Sequence, residues 1–165
     1  VSISSPTPLT NEHDVSTFDC GVPELSGWLK KRALQNQFSN STRTYVANQG
    51  ASRVIGFQTL AAGAVERGLA VAALRRNSPE SIPIILLARL AIDVTCQGSG
   101  IGGALLLDAV RRSISASEII GARALVTNAI SESAVRFYQR YGFRPSPIAA
   151  HLLMATIGDL RTTFG

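Results

Sequence analysis

One stretch restricts this chain more than any other: Asp93-Val-Thr-Cys-Gln-Gly-Ser-Gly-Ile-Gly-Gly-Ala104. Ahead of it, Ile82 to Ile92 is apolar and rich in β-branched residues, which predicts a buried strand. Behind it, Leu105 to Ile120 reads as a helix. The chain must therefore pass from strand through a glycine-rich turn into a helix. Gly98, Gly100, Gly102 and Gly103 let the backbone fold tightly, with its N–H groups facing one way at the positive end of a helix dipole. Such a turn is an anion cradle, most often for phosphate, and its bland alternative is a plain tight turn.

Three phosphate-binding patterns share this outline. No Lys-Ser or Lys-Thr pair closes the glycine run, which excludes a P-loop. Gly98, Gly100 and Gly103 satisfy G-x-G-x-x-G, but a dinucleotide site also needs an acidic residue ending the next strand. Glu118 has roughly that spacing and falls before Gly121, ahead of the strand. Gln97, Gly100 and Gly102 fill a third pattern, Gln/Arg-x-x-Gly-x-Gly/Ala, which resembles the pyrophosphate loop of the GNAT N-acetyltransferases.

Bulk properties narrow the class. At 165 residues one domain spanning 1–165 is expected, with chain enough for a full core. Hydrophobic residues make up 45% and charged residues 16%, the balance of a compact soluble fold. Arg89 and Asp93 break the longest apolar run, so no transmembrane span and no membrane partner are expected. Cys20 and Cys96 stand far apart and suggest neither a disulfide framework nor a metal site; two free thiols in a reducing cytoplasm are the expectation. Net charge is +5, and all 16 basic residues but Lys30 and Lys31 are arginines. Guanidinium groups grip phosphates bidentately, so a nucleic acid or an acidic protein is a plausible partner, against the plainer reading of a solvated surface.

Residues 1 to 8 suggest a loose start or an edge strand, and Asn11 to Phe18 a short helix. Pro23 and Glu24 suit the first turn of a helix whose apolar face carries Leu25, Trp28, Leu29 and Ala33, with Lys30, Lys31 and Arg32 on the other side. Asn36 to Ser41 reads as a polar loop. Thr42 to Ala47 and Arg53 to Val65 read as strands around the turn Asn48-Gln-Gly50. Glu66 to Pro83 is less regular and holds Arg75 and Arg76, candidates for phosphate or acidic-partner contact. Ala122 to Ala129 is the next strand, parallel to its predecessor because a helix joins them. Residues 131 to 141 form a helix capped by Ser131 and ended by Gly142, and two last strands begin near Phe143 and His151.

About forty residues after the glycine loop stands Phe137-Tyr138-Gln-Arg-Tyr-Gly142-Phe143, which resembles the Phe-Tyr-x-x-x-Gly-Phe signature of GNAT enzymes. With both signatures in order, the chain resembles that family over nearly its whole length. More narrowly it resembles the acetyltransferase toxins of toxin–antitoxin systems, the TacT, AtaT and KacT group, through Phe18-Asp-Cys-Gly21, Leu25-x-x-Trp-Leu29, Ala33-Leu-x-Asn36, Leu74-Arg-Arg-Asn77, the Ala-Arg-Leu-Ala core of Pro83 to Asp93, and Glu118-x-Ile-Gly121. The resemblance implies an α/β fold with a mixed central β-sheet flanked by helices. Its fourth and fifth strands would be parallel and splayed to form the acetyl-CoA cleft. It implies an acetyl-CoA-dependent acyltransferase that acetylates the α-amino group of aminoacyl-tRNA and so inhibits translation, neutralised by a ribbon-helix-helix antitoxin and commonly a homodimer.

Carried over position by position, the resemblance implies acetyl-CoA contacts at Ala91, Ile92, Val94, Gln97, Gly98, Ser99, Gly100, Ile101, Gly102, Gly103, Asn128, Phe137 and Tyr138. It implies that Tyr138 is the general acid. Ser131 stands where the family often has Asn, so the resemblance does not carry a side-chain contact to the cofactor from that position. Arg75, Arg76 and Arg89 are the candidate substrate-binding residues. Arg89 is a charge inside an apolar strand and needs either a buried ion-pair partner or a ligand such as tRNA. No general base is evident, and an α-amine, with a pKa of about 7.7–8.0 against about 10.4 for lysine, needs less help. The competing readings are acetylation of a protein N-terminus or small amine, and a non-catalytic module binding acyl-CoA or nucleic acid.

Overall fold

The structure is a computed structural model that describes residues 2–165. Its strands are β1 (Thr7–Pro8), β2 (Arg43–Gln49), β3 (Arg53–Glu66), β4 (Ser81–Ile92), β5 (Ala124–Asn128), β6 (Arg144–Pro145) and β7 (Leu152–Thr156). Its helices are α1 (Pro23–Lys31), α2 (Ala33–Phe38), α3 (Ala72–Arg75), α4 (Ile101–Ile119), α5 (Glu132–Arg140) and α6 (Ile157–Phe164). The strands hydrogen-bond in the order β1-β2-β3-β4-β5-β7-β6. The β1–β2, β2–β3, β5–β7 and β6–β7 pairs are antiparallel, and β4–β5 is parallel. The sheet is therefore mixed, as the glycine-loop crossover requires. The parallel register runs from Ile85↔Leu125 to Leu87↔Thr127, and β4 continues to Ile92.

The chain divides into two compact units. One holds residues 2–61 and 88–109. Its core gathers Phe18, Leu29, Ala33, Val46, Val54, Phe57 and Ala91. The Phe18 and Phe57 rings meet edge to face at 5.5 Å, and Trp28 stacks on Phe57 at 6.3 Å. Fully burying rings and leucines of this size contributes about 1.5–3 kcal/mol each. Helix α1 starts as its sequence dictates, with proline in the first turn, Glu24 beside it and Lys30 and Lys31 at the end. A side chain at Gly56 would put its Cβ 2.8 Å from Leu105 Cδ1 and 3.1 Å from Ile92 Cδ1. Glycine is therefore what lets Leu105 of α4 sit down on β3.

The other unit holds residues 62–87 and 110–165, with a core of Val65, Ala70, Leu74, Ile82, Ile84, Ala124, Val126 and Met154. The Ser131 hydroxyl caps α5 by accepting from the Ala134 N–H at 3.2 Å, and Gly142, at φ +92°, turns the chain out of it. The segment between β3 and β4, expected to be irregular, is ordered by a short 3-10 turn (Arg67–Leu69) and α3. Arg67 pairs with Glu80 across it, and Arg123 holds Ser78.

Three local expectations are corrected. Asn11 to Phe18 is not a helix. It runs alongside β3 through an isolated bridge from Asp14 to Arg53, with Asp14 N–H donating to Ser52 O and Val54 N–H to Asp14 O. Leu9 and Phe18 are the core anchors of this stretch, so tertiary burial decides its path. The polar stretch from Asn36 begins as helix, because α2 extends to Phe38. Gln37 holds it there, donating to Leu9 O at 2.6 Å and accepting from Thr44 N–H at 2.9 Å. Finally, α6 was not foreseen. Thr156 caps it through a bond from the Asp159 N–H at 3.1 Å.

Candidate active site

In the first unit, the site begins with a clasp under the glycine loop. Asp93 directly follows β4, with only 1% of its surface exposed. Its carboxylate accepts from Asp19 N–H at 2.9 Å, from Thr95 N–H at 3.0 Å and from the Thr95 hydroxyl at 2.6 Å. Arg53 lies 3.5 Å away. Burial pushes the Asp93 carboxyl up; the bonds from Thr95 and Asp19 and the Arg53 charge outweigh it and hold the group below the usual carboxylate range. A charged, fully hydrogen-bonded Asp93 thus fixes the 3-10 turn Val94–Cys96 that launches the loop.

The loop braces its own side chains. Gln97 donates from Nε2 to Cys20 O at 3.1 Å and to Ile92 O at 2.9 Å. Ser99 donates to Cys96 O at 2.6 Å. Gly98 and Gly100 take φ values of +79° and +87°, which side-chain-bearing residues rarely adopt, and a Cβ on either would point into open space. Helix α4 opens at Ile101, so the N–H groups of its first turn have no intrahelical acceptor. An uncovered backbone, a helix N-terminus and no acidic side chain in Gln97–Gly103 fit a pyrophosphate group. Gln97 serves the loop's shape, and the glycine backbone is what remains to meet an anion.

The end of β4 has its own pattern. Asp93 N–H donates to Ile55 O at 2.8 Å, and Val94 N–H to Asp19 O at 2.8 Å. Both amides are consumed within the protein. Strand alternation turns the Ile92 N–H to the side away from β3. Ala91 is buried in the core, and the Val94 side chain is half exposed. Arg89 lies one strand repeat before Ala91, with its guanidinium carbon 3.9 Å from the centre of the Trp28 ring.

In the second unit, α5 and β5 present Tyr138, Phe137, Thr127 and Asn128. Tyr138 is 6% exposed, wedged between Phe137 at 5.1 Å and Phe143 at 5.6 Å. Burial raises the pKa of its phenol above the ordinary value, and a hydrogen bond with Thr127 lowers it by less. The Thr127 hydroxyl donates to Leu87 O at 2.9 Å. Tyr138 is therefore protonated at neutral pH. Asn128 is exposed at the end of β5, and Arg75 and Arg76 are exposed on α3 and just after it.

Sequence reasoning found the loop and Tyr138 but missed the Asp93 clasp and the Thr127 partner. His151 has both ring nitrogens satisfied: Nε2 lies 2.9 Å from Glu132 Oε1 and Nδ1 3.1 Å from Ala129 O. With oxygens at both nitrogens, the Glu132 bond first and the Ala129 carbonyl second raise its pKa above the ordinary value. Only the Ser-x-x-Asp/Glu-like spacing of caps is local enough to read; these pairs join residues distant in sequence. Among the described residues no cluster of three His, Cys, Asp or Glu suits a metal ion, and no helix is long and apolar enough to cross a membrane.

The profile of the Acetyltransferase (GNAT) domain matches residues 40–145, which include the loop, Asp93 and Tyr138. The chain belongs to the GNAT acetyltransferase family. Like the family, it is an acetyltransferase that uses acetyl-CoA. It is 39% identical to a tRNA-acetylating toxin of Mycobacterium tuberculosis (strain ATCC 25618 / H37Rv), over 98% of this chain and 97% of that protein. Its fold matches AtaT complexed with acetyl-methionyl-tRNAfMet at a TM-score of 0.90 and 27% identity, covering 99% of this GNAT chain and 100% of AtaT. It also matches a tyrosine-to-phenylalanine mutant of the AtaT toxin bound to the C-terminus of the antitoxin AtaR and acetyl-CoA, at a TM-score of 0.83 and 28% identity, covering 99% of each chain.

Proposed function

We propose that this GNAT enzyme is the toxin of a toxin–antitoxin pair, a single domain spanning 1–165 that acetylates the α-amino group of aminoacyl-tRNA and so blocks translation. The observation that carries the proposal is the 39% identity to a tRNA-acetylating toxin over 98% of the chain. The AtaT complex with acetyl-methionyl-tRNAfMet supports the same substrate. Its partners would be a ribbon-helix-helix antitoxin and a second copy of the chain, in the cytoplasm.

Each residue group has a role in this reading. Backbone N–H groups from Gly98 to Gly103 hold the pyrophosphate of acetyl-CoA, and Gln97 and Asp93 keep the loop in shape. By the family resemblance, the pantetheine arm would meet Ala91, Ile92 and Val94 of the first unit and Asn128 and Phe137 of the second. Acetyl-CoA supplies an activated acetyl thioester. The Ile92 N–H, facing away from β3, polarises the thioester carbonyl, a role Asp93 and Val94 cannot take because their amides are already bonded. The substrate amine attacks directly. Tyr138, kept neutral by burial, passes its proton to the departing sulfur. Arg75, Arg76 and Arg89 meet the phosphates of the tRNA.

Induced expression in a growing bacterium tests this reading. Growth arrest is expected from the native chain and none from Tyr138→Phe. Equal arrest by both, or none by either at matched protein levels, overturns it.

A further inference from the structure

Between β3 and β4 the chain makes a turn that is held more firmly than its place on the surface requires. Helix α3 has four residues, too few to be stable alone, and Leu74 is its one buried residue. Arg75, Arg76 and Asn77 are exposed, and Asn77 takes a left-handed φ of +57°. Ser78, only 7% exposed, ties the turn together. Its N–H donates to Arg75 O at 3.2 Å, and its hydroxyl donates to Leu74 O at 2.5 Å. Arg123, just ahead of β5, clamps the turn from outside. Its Nη1 donates to the Ser78 hydroxyl at 2.5 Å, and its Nη2 reaches Arg76 O at 3.5 Å. The Arg123 backbone is itself fixed, donating to Pro83 O at 2.8 Å and accepting from the Ile157 N–H at 2.9 Å. Arg67 adds a bond to Ser78 O at 3.1 Å.

This clamp brings Arg67 and Arg123 to the turn that carries Arg75 and Arg76, with Glu80 bonded to Arg67. Gathering like charges opposes folding. Surface loops are ordinarily mobile and stable enough without such bracing. What the clamp secures is the direction in which Arg75 and Arg76 leave the surface.

We propose that Arg123 is a positioning residue for the acceptor. Through Ser78 and the Arg76 carbonyl it holds the 74–78 turn, so that Arg75 and Arg76 meet the tRNA already ordered. This rests on the aminoacyl-tRNA reading above and on the phosphate contacts that reading gives to Arg75 and Arg76. Fixing the backbone that bears two long side chains removes part of the ordering cost that binding otherwise carries. Arg123 acts through the turn and does not itself meet the tRNA, because its guanidinium is spent on Ser78 and Arg76.

The test is a double-mutant cycle in steady-state acetyl transfer, with charged tRNA and a phosphate-free aminoacyl-adenosine as acceptors. Arg123→Ala should raise KM for charged tRNA about fivefold, leave kcat within about twofold and leave KM for acetyl-CoA unchanged. Its kcat/KM on aminoacyl-adenosine should match the native enzyme. Arg123→Lys should recover most of the loss, since an ammonium can donate to the same two oxygens. Added to the Arg75→Ala/Arg76→Ala enzyme, Arg123→Ala should change KM for charged tRNA by less than about twofold, because the residues it acts through are gone. If Arg123→Ala does not fold, Ser78→Ala takes its place in the cycle with the same expectations. An unchanged KM for charged tRNA, an equal loss on both acceptors, or a full fivefold loss in the Arg75→Ala/Arg76→Ala background overturns the positioning role alone. A native KM in the Arg75→Ala/Arg76→Ala enzyme overturns the phosphate contacts and this inference with them. Failure of the native enzyme to acetylate any charged tRNA overturns the aminoacyl-tRNA reading itself.

Discussion

Replacing Asp93 by alanine removes the clasp beneath the glycine loop. The side chain accepts from two backbone N–H groups and one hydroxyl and faces Arg53 at 3.5 Å. The substitution leaves the Asp19 and Thr95 N–H groups without their acceptor in two part-buried bonds, at about 1–3 kcal/mol each. Arg53 is partly exposed and loses less, since water can replace its partner. The expected loss is about 4 kcal/mol, a large share of the roughly 5–15 kcal/mol that holds a domain together. For a chain of this length that lowers Tm by roughly 12 °C. Asp93→Asn keeps part of the acceptor set and should lose about half as much. Because the folded carboxyl sits below its ordinary value, the stability it contributes is present above about pH 3.9 and is lost as pH falls through the lower folded value. Urea melts of native and Asn proteins should therefore differ by a constant amount from pH 7 to about pH 4 and converge below. KM for acetyl-CoA should rise about tenfold as the Val94–Cys96 turn loosens. An Asp93→Ala protein within about 1 kcal/mol of native, or a gap between native and Asn proteins that widens as pH falls below about 3.9, refutes the argument.

Gly100→Ala should raise KM for acetyl-CoA about tenfold, because a φ of +87° costs a Cβ-bearing residue about 1–2 kcal/mol although nothing blocks the Cβ; an unchanged KM counts against the glycine cradle. Thr127→Val removes the bond that lowers the Tyr138 pKa and leaves burial, which raises it. The alkaline limb of the kcat profile should therefore move to higher pH, and movement to lower pH contradicts the assignment. NMR titration of His151 should give a pKa above 6.5, falling in Glu132→Gln, because the Glu132 bond is the leading cause of the rise. Its stabilising contribution is present below about pH 6.5 and fades as pH climbs through the raised folded value. The gap between native and Glu132→Gln melts should shrink accordingly, and a gap that widens with pH refutes it.

The fold was most legible where local pattern and tertiary demand agree. The apolar run from Ile82 and the capped segment from Ser131 became β4 and α5 within a residue of expectation. The glycine loop was legible because glycine has few reasons to cluster. Helix α4 begins at Ile101, four residues before Leu105, so that Gly102 and Gly103 lie in its first turn and Leu105 and Leu106 are buried. Asn11 to Phe18 misled because its path is fixed by Leu9 and Phe18 reaching a core built from distant residues. The α6 start carried a readable cap, Thr156-Ile-Gly-Asp159, whose short apolar face gave too little periodicity to single out. Within the site, Tyr138 and the loop stood out as motifs. The bonds that tune them join Asp19 to Asp93, Cys20 to Gln97 and Leu87 to Thr127, and no spacing rule connects such residues.

The most direct measurement follows labelled acetyl from acetyl-CoA into a mixed pool of charged tRNA, with uncharged tRNA and the Tyr138→Phe enzyme alongside. Label should appear on charged tRNA alone, and Tyr138→Phe should transfer it about 10²–10⁴-fold more slowly while still binding acetyl-CoA. Label absent from every tRNA while acetyl-CoA is bound, or transfer undiminished in Tyr138→Phe, contradicts the account.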